Sequence, residues 1–574
     1  MQSSLGAEME RGDGLLRRIP GVSLARSYRR KDLARDLIAG LVLATMLVPQ
    51  GMAYAELTGL PPETGLYTTV AALLAYAVFG TNRVLVLGPD SSLAPIIAAI
   101  VLPMAAGDPA TAVVLASALS LITGLICLVA GYARLGVVTE LLSKPVRIGY
   151  LNGIAVVVLI SQLPKALGFS VDADTTLSTL VATFEAVVDG QIVFAAMVFS
   201  ILTITLIQVA RTLWPGAPGV LVAVIGSLAG MALFDLSGVV ETVGAMPQGA
   251  PAFVFPGVDV NDLRALIIGG LGVALISFAD TGALSSAMAL RAGGRSKPNS
   301  EAKALGAANI LSGLLQGFPT SASSSRTAVA VSVGSKTQLT GVVAAVGVLA
   351  MLVWAPGLLA NLPAATLAAI VIAASFIIFD GAAVRWLWSV RRSEFLLSLG
   401  SFLGVVLIGV LEGILIAVVL SLANFIRRAW HPHSAELVRV NGLKGYHDRE
   451  RHPEGETIPR LLILRFDAPL FFANAPTFGR LLHDLLEGAS RPIDRVLVAG
   501  AAITDIDTTG AEVLVGVLDD LDRRGLSFAF AGLKGPVKDR LKAYGVYDRI
   551  GEVNFFPTIG EAVNAHEVGP ETRG

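Results

Sequence analysis

Apolar residues dominate roughly the first three-quarters of the chain, in long runs separated by short polar breaks; the last quarter changes to short apolar stretches alternating with amphipathic ones. Between about Asp36 and Arg428, roughly twelve runs are long enough to cross a bilayer core of about 30 Å. They centre near Ala44, Ala71, Val114, Ala155, Ile201, Val222, Ala274, Leu311, Val346, Ala369, Leu403 and Ala417. Two further segments, Ser91 to Met104 and Ser325 to Val333, are too short or too polar to stand out by hydropathy. Charge decides whether they cross. Arg83, Arg134, Lys144, Arg147, Arg211 and Lys336 flank spans, whereas the breaks "GDPA" (107–110), "VDADTT" (171–176) and "PGLLANLP" (356–363) hold no Lys or Arg. Positive residues stay on the cytoplasmic side. Something must then cross between Arg83 and Asp108, and again before Lys336. Both weak segments are therefore read as spans, which gives fourteen with both ends inside.

Each weak segment is the third of a set of seven, and each follows a polar, non-helical stretch: "NRVLVLGPDSS" in one half, "GFPTSASSS" in the other. Matching interruptions in two halves point to an inverted-repeat transporter with its site at the midplane. Seven is odd, so the halves lie inverted in the membrane. A half-helix starting at Ser325 leaves free N–H groups and a positive dipole end in mid-membrane, and Pro89, Asp90 and Ser91 set the facing one. Two such ends facing each other suit an anion. Arg326 adds a full charge at a depth where charges are rarely idle; the plainer reading is an arginine reaching to an interface from a serine-rich loop.

Composition agrees with the pattern. Of 574 residues, 54% are hydrophobic and only 15% charged, with net charge −1, against roughly 25% charged in soluble domains. The class is an integral membrane protein, and the balance gives no hint of a nucleic-acid partner. The single Cys127 rules out a disulfide framework or a cysteine zinc site. There is no nucleophile constellation, metal cluster or cofactor loop, so an enzyme, a cofactor and a metal are not expected. The polar, basic N-terminus lacks a secretory apolar core, so nothing looks cleaved. The reading is a cytoplasmic N-terminal segment (1–35), a transmembrane domain (36–430), a linker (431–458) holding His431 and His433, and a small α/β domain (459–570).

The ordered elements Pro-Gln-Gly-x-Ala-Tyr, Gly-Leu-Pro-Pro, Gly-Leu-Tyr and Phe-Gly-Thr-x-Arg within 43–89, with "SSSRTAVAVSVGSKTQLTGVVAA" further on, resemble the SulP (sulfate permease) family of anion transporters. The tail resembles the STAS domain that closes most members. The resemblance implies that the 7+7 inverted repeat divides into core and gate domains and that the chain forms a homodimer, while the basic internal loops fit a plasma membrane with both termini cytoplasmic. It also implies a small anion substrate: sulfate, bicarbonate, chloride or a dicarboxylate. Gln50 and Tyr54 match pocket-lining positions, and Ser325 and Arg326 match the serine and arginine opening the tenth span; Ser324 precedes them, and Ser91 opens the facing half-helix, both counted with the substrate site. Ordinary helix packing also accounts for Gln50 and Tyr54.

Asp90 departs from the family pattern, which commonly has a small or apolar residue after Gly-Pro. A carboxylate there repels an anion unless it is paired with Arg326 or protonated; its plainer role is a helix cap. Asp280, in "VALISFADTGALSSAMAL" (273–290), resembles an eighth-span acidic residue that serves a coupling proton or cation in relatives. Leu284 one turn on, where sodium would want another oxygen, leans towards a proton. A structural partner for Arg326 is the other reading. In "DIDTTGAEVL", Thr508 stands where stand-alone relatives are phosphorylated, and an N-cap explains it too. The expected function is secondary active, proton-coupled anion transport. An uncoupled channel or exchanger, or an anion sensor signalling through the tail, are the alternatives.

Overall fold

The computed structural model describes residues 20–21, 28–135, 143–171, 173, 175–213, 219–291 and 297–568. Most of the expected N-terminal segment, 1–19 and 22–27, therefore lies outside the described residues. The chain divides into two compact units, Met1–Ser421 and Leu422–Gly574.

The first unit is helical: α1 Leu33–Leu57, α2 Pro62–Phe79, α3 Ala94–Ala105, α4 Pro109–Tyr132, α5 Lys144–Leu167, α6 Thr176–Val188, α7 Phe194–Leu213, α8 Gly219–Phe234, α9 Val260–Arg291 and α10 Pro298–Leu314. There follow α11 Ser324–Val333, α12 Leu339–Trp354, α13 Pro356–Ala360, α14 Ala364–Ile378, α15 Gly381–Val390, α16 Arg392–Leu403 and α17 Val410–Trp430, the last running on into the second unit. Among the described residues, six helices are long and apolar enough to cross a membrane, and α3, α6, α8 and α12 are shorter apolar helices. At 1.5 Å per residue, α3 and α11 reach only about 18 and 15 Å, half a bilayer core.

Two strands, β1 (Leu87–Gly88) and β2 (Ser321–Ala322), lead into these half-length helices and pair antiparallel, Leu87 with Ala322 and Gly88 with Ser321. Exposed backbone is not tolerated in a membrane interior, so such strands must be buried and find bonding partners. All four strand residues are buried. Val86 N donates to Thr327 Oγ1 (3.1 Å), Ala322 N to Thr281 Oγ1 (3.2 Å), Ser323 N to the Val86 carbonyl (3.0 Å) and Thr320 N to Asn309 Oδ1 (2.8 Å).

Small residues bring the scaffold helices close, as membrane packing requires. A Cβ on Gly124 of α4 would lie 2.8 Å from the Gly306 carbonyl of α10, and one on Gly313 would lie 2.5 Å from the Ser117 carbonyl. Asp36, fully buried, accepts from Lys336 N (2.7 Å), Thr337 N and Oγ1, and Thr340 Oγ1, tying the start of α1 to the turn that follows α11.

The second unit holds a six-stranded sheet ordered β4-β3-β5-β6-β7-β8, from β3 Ser434–Arg439, β4 Tyr446–Asp448, β5 Leu461–Phe466, β6 Arg495–Ala499, β7 Ser527–Ala531 and β8 Phe555–Phe556. β5 to β8 run parallel, and β3 is antiparallel to both β4 and β5. Side chains alternate between faces. Leu462, Leu464, Val496 and Val498 pack with Phe478 of α18 (Ala475–Glu487) and Leu514 of α19 (Thr508–Arg523), while Leu461, Ile463 and Leu497 pack with Val563 of a C-terminal helix, Ile559–Glu567.

The stretch expected as a linker is corrected here. Residues 434–439 and 446–448 are strands, and His433 is held at 3.1 Å from Asp467 and 3.3 Å from Asp448. Its charged residues hid the strands, because antiparallel strands can keep one face in water.

Candidate functional site

The strand pair brings the starts of α3 and α11 together. A cavity of about 420 Å³ opens beside them. Tyr54 of α1, Asp90, Ser91 and Ser92 ahead of α3, and Ser323, Ser324 and Ser325 at the start of α11 line it. Arg147 and Leu151 of α5, Asp280 of α9 and Ile377 of α14 complete its walls. The residues singled out in the sequence thus converge from four distant segments. Gln50 lies about one turn before Tyr54 on α1, half-buried and outside the set lining this cavity.

Arg326 sits behind the cavity wall, 1% exposed. Its Nη2 is 3.7 Å from Asp90 Oδ1, and among the described residues none of its three guanidinium nitrogens has a hydrogen-bond partner. A buried guanidinium without an acceptor is costly, and its donor fork suits an oxyanion. Asp90 also turns the chain into α3: its Oδ2 accepts from Ser92 N (3.0 Å) and Ser92 Oγ (2.6 Å), and its carbonyl accepts from Leu93 N and Ala94 N. The cap reading of Asp90 is corrected: the N-cap of α3 is Leu93, with no side-chain bond, and the Asp90 carboxylate instead holds the turn at Ser92 while it pairs with Arg326.

Asp280 Oδ2 lies 3.4 Å from Ser92 Oγ. The ion pair of Arg326 in the structure is with Asp90. Leu284, one turn on, lines the cavity too, and Ser285 Oγ donates to Glu301 Oε1 (2.9 Å).

Several residues escaped the sequence reading. Arg147, taken only as a flanking charge, lines the cavity. Ser92 joins two carboxylates, a role that depends on the turn at Asp90. Glu301 is fully buried and accepts from Tyr76 Oη (2.8 Å), Thr81 Oγ1 and Ser285. Only the fold joins these hydroxyls, which come from two distant segments, the end of α2 and α9.

In the second unit, Asp507 is the N-cap of α19: its Oδ1 accepts from Gly510 N (2.7 Å) and its Oδ2 from Phe472 N (2.9 Å). Thr508 is the first helical residue and is exposed. The cap reading for Thr508 is therefore corrected, because the preceding aspartate occupies that position.

The sequence matches the family model of the sulfate permease family over residues 33–401 and that of the STAS domain over 452–562. A probable sulfate transporter of Mycobacterium tuberculosis is 40% identical over 547 residues, covering 95% of this chain and 97% of that protein. Among solved structures, the murine solute carrier 26 family member A9 anion transporter in its inward-facing state superposes with a TM-score of 0.88 at 20% identity, covering 96% of this chain and 94% of that one. The transmembrane domain of a cyanobacterial bicarbonate transporter gives 0.59 at 22% identity, covering 69% and 98%. The fold is that of a multi-pass helical membrane transporter with a C-terminal STAS domain. The chain belongs to the sulfate permease family of anion transporters.

Proposed function

We propose that this chain is a secondary active transporter of a small oxyanion, coupled to protons, with the substrate held between the starts of α3 and α11. The observation that carries the reading is the buried, acceptor-free guanidinium of Arg326 at the point where two half-helix N-termini meet. Positive helix ends and a guanidinium together favour an anion over any neutral solute. The names of the relatives favour sulfate, with bicarbonate and dicarboxylates as the other members of the same chemical class. Tyr54, Asp90, Ser91, Ser324, Ser325 and Arg326, with Gln50 one turn away, form the substrate site. Asp280 and Asp90 carry the coupling proton, since a carboxylate facing a bound anion must lose its charge or find a cation.

The fourteen-span 7+7 repeat, the core and gate domains, the domain limits 36–430 and 459–570, a homodimer, a plasma-membrane location with cytoplasmic termini and a regulatory Thr508 belong to the same reading. Uptake into liposomes containing the purified protein tests it, with labelled sulfate, bicarbonate and succinate, with and without an acidic exterior. Accumulation of one anion driven by the gradient is the expected result. Flux indifferent to the gradient would replace it with a channel or exchanger, and binding without flux with a sensor.

A further inference from the structure

Ser92 joins the two cavity carboxylates. Its Oγ is 2.6 Å from Asp90 Oδ2 and 3.4 Å from Asp280 Oδ2, and it is buried at 4% exposure. A hydroxyl carries one proton to donate and lone pairs to accept. The short contact assigns that proton to Asp90. The longer contact to Asp280 is then favourable only if Asp280 brings a proton of its own; otherwise two oxygens with no hydrogen between them face each other.

We propose that Ser92 is a proton-positioning residue that passes the coupling proton from Asp280 to Asp90 and thereby frees Arg326 for the anion. The inference rests on the proton-coupled reading above. In the loaded chain Asp280 donates to Ser92 Oγ, and Ser92 donates to Asp90. Transfer moves the Asp280 proton onto Ser92 Oγ while the hydroxyl proton of Ser92 moves to Asp90 Oδ2. Asp280 is left ionised, Asp90 neutral and Ser92 unchanged, so protons and charge balance.

Neutral Asp90 no longer competes for Arg326, 3.7 Å away. Until then Asp90 acts as a tethered counter-ion, occupying the place of a substrate carboxylate or sulfate oxygen. The remaining titratable or charged groups facing this chain are Tyr54 from α1 and Arg147 and Tyr150 from α5. Arg147 lines the same cavity as Asp280. The Tyr150 hydroxyl is buried without a hydrogen-bond partner among the described residues.

The test uses the full-length protein in liposomes with labelled sulfate, bicarbonate and succinate in separate arms. The readout is the ratio of uptake under an acid-outside gradient to uptake without one. Ser92→Ala is expected to lower that ratio about tenfold, the factor that losing one charge-assisted hydrogen bond brings, and Ser92→Thr, which keeps the hydroxyl, to restore it. A wild-type ratio of one, or no uptake of any probe, overturns the proton-coupled reading and the relay with it. A driven wild type with an equally driven Ser92→Ala overturns the relay alone.

An infrared measurement guards against a variant that is merely misfolded. The carbonyl band of a protonated carboxyl, identified by its loss in Asp280→Asn, is expected to shift in Ser92→Ala because its acceptor is gone. An unmoved band overturns the relay.

Discussion

The arms leading into α3 and α11 have the same backbone plan and opposite side-chain charge. Each is a two-residue buried strand followed by a half-length helix of 12 or 10 residues. The first presents Asp90 ahead of its helix; the second presents Arg326 in its first turn, and the two side chains meet at 3.7 Å. Backbone geometry supplies two positive helix ends, which any anion would feel. Side chains then decide how that field is used. One arm provides a cation and the other an anion, and the two pair. Under the proposed proton coupling, neutralising Asp90 would release that cation.

Breaking the cationic arm has the largest expected effect. Arg326→Gln should weaken anion binding by about 100-fold, within the range for truncating a desolvated charge at an interface, measured by isothermal titration with sulfate. Neutralising the other arm acts in the opposite direction. Asp90→Asn should raise apparent affinity at neutral pH by about tenfold, since Arg326 loses its competitor. Its sulfate uptake should also stop rising as pH falls. A wild-type pH profile in Asp90→Asn would remove Asp90 from the coupling step.

A smaller effect is expected from moving the guanidinium without discharging it. A Cβ at Gly88 would stand 3.1 Å from Arg326 Nη1, tighter than ordinary contact, so the side chain must give way. Gly88→Ala should cost about 1 kcal/mol of binding, roughly fivefold, a modest overpacking penalty. Unchanged sulfate affinity would mean that Arg326 is not held at one distance from Asp90.

The smallest effect sharpens the comparison with a charge pair in water. Arg460 Nη2 donates to Asp494 Oδ1 at 2.6 Å in the STAS domain, and both side chains are exposed. The guanidinium holds the Asp494 carboxyl below its ordinary range. A carboxyl depressed in the folded state adds stability above its unfolded value and loses it as pH falls through the folded one. Asp494→Asn should therefore lower the melting temperature by no more than a degree or two at pH 7, and the difference should vanish on acidification. A large, pH-independent drop would show that the pair has a packing role.

The site was partly legible before the fold was known. Asp90, Ser324, Ser325 and Arg326 stand out because charge and hydroxyls interrupt apolar runs, and such interruptions are costly unless they have partners. Tyr54 and Asp280 were reached through resemblance, and both line the cavity. Arg147 looked like a topological marker because a residue three positions from a helix start reads the same whether it faces cytosol or cavity. Glu301 and Asp36 gave no signal: three of the donors to Glu301 and all of those to Asp36 come from other segments. The strands β3 and β4, at one end of the sheet, were missed because charged residues on their wet side obscure the alternation.

By itself the sequence determined that this is a membrane protein with an α/β tail, that two polar interruptions lead into short helices, and where charge enters the apolar region. These follow from transfer free energy, which each segment carries with it. Tertiary structure alone decided that the two interruptions pair as strands, that Asp90 meets Arg326, and that Ser92 stands between Asp90 and Asp280. Those are distances between residues up to about 240 positions apart in sequence. No local pattern encodes them, because a hydrogen bond depends on a fraction of an ångström that only the packed helices set.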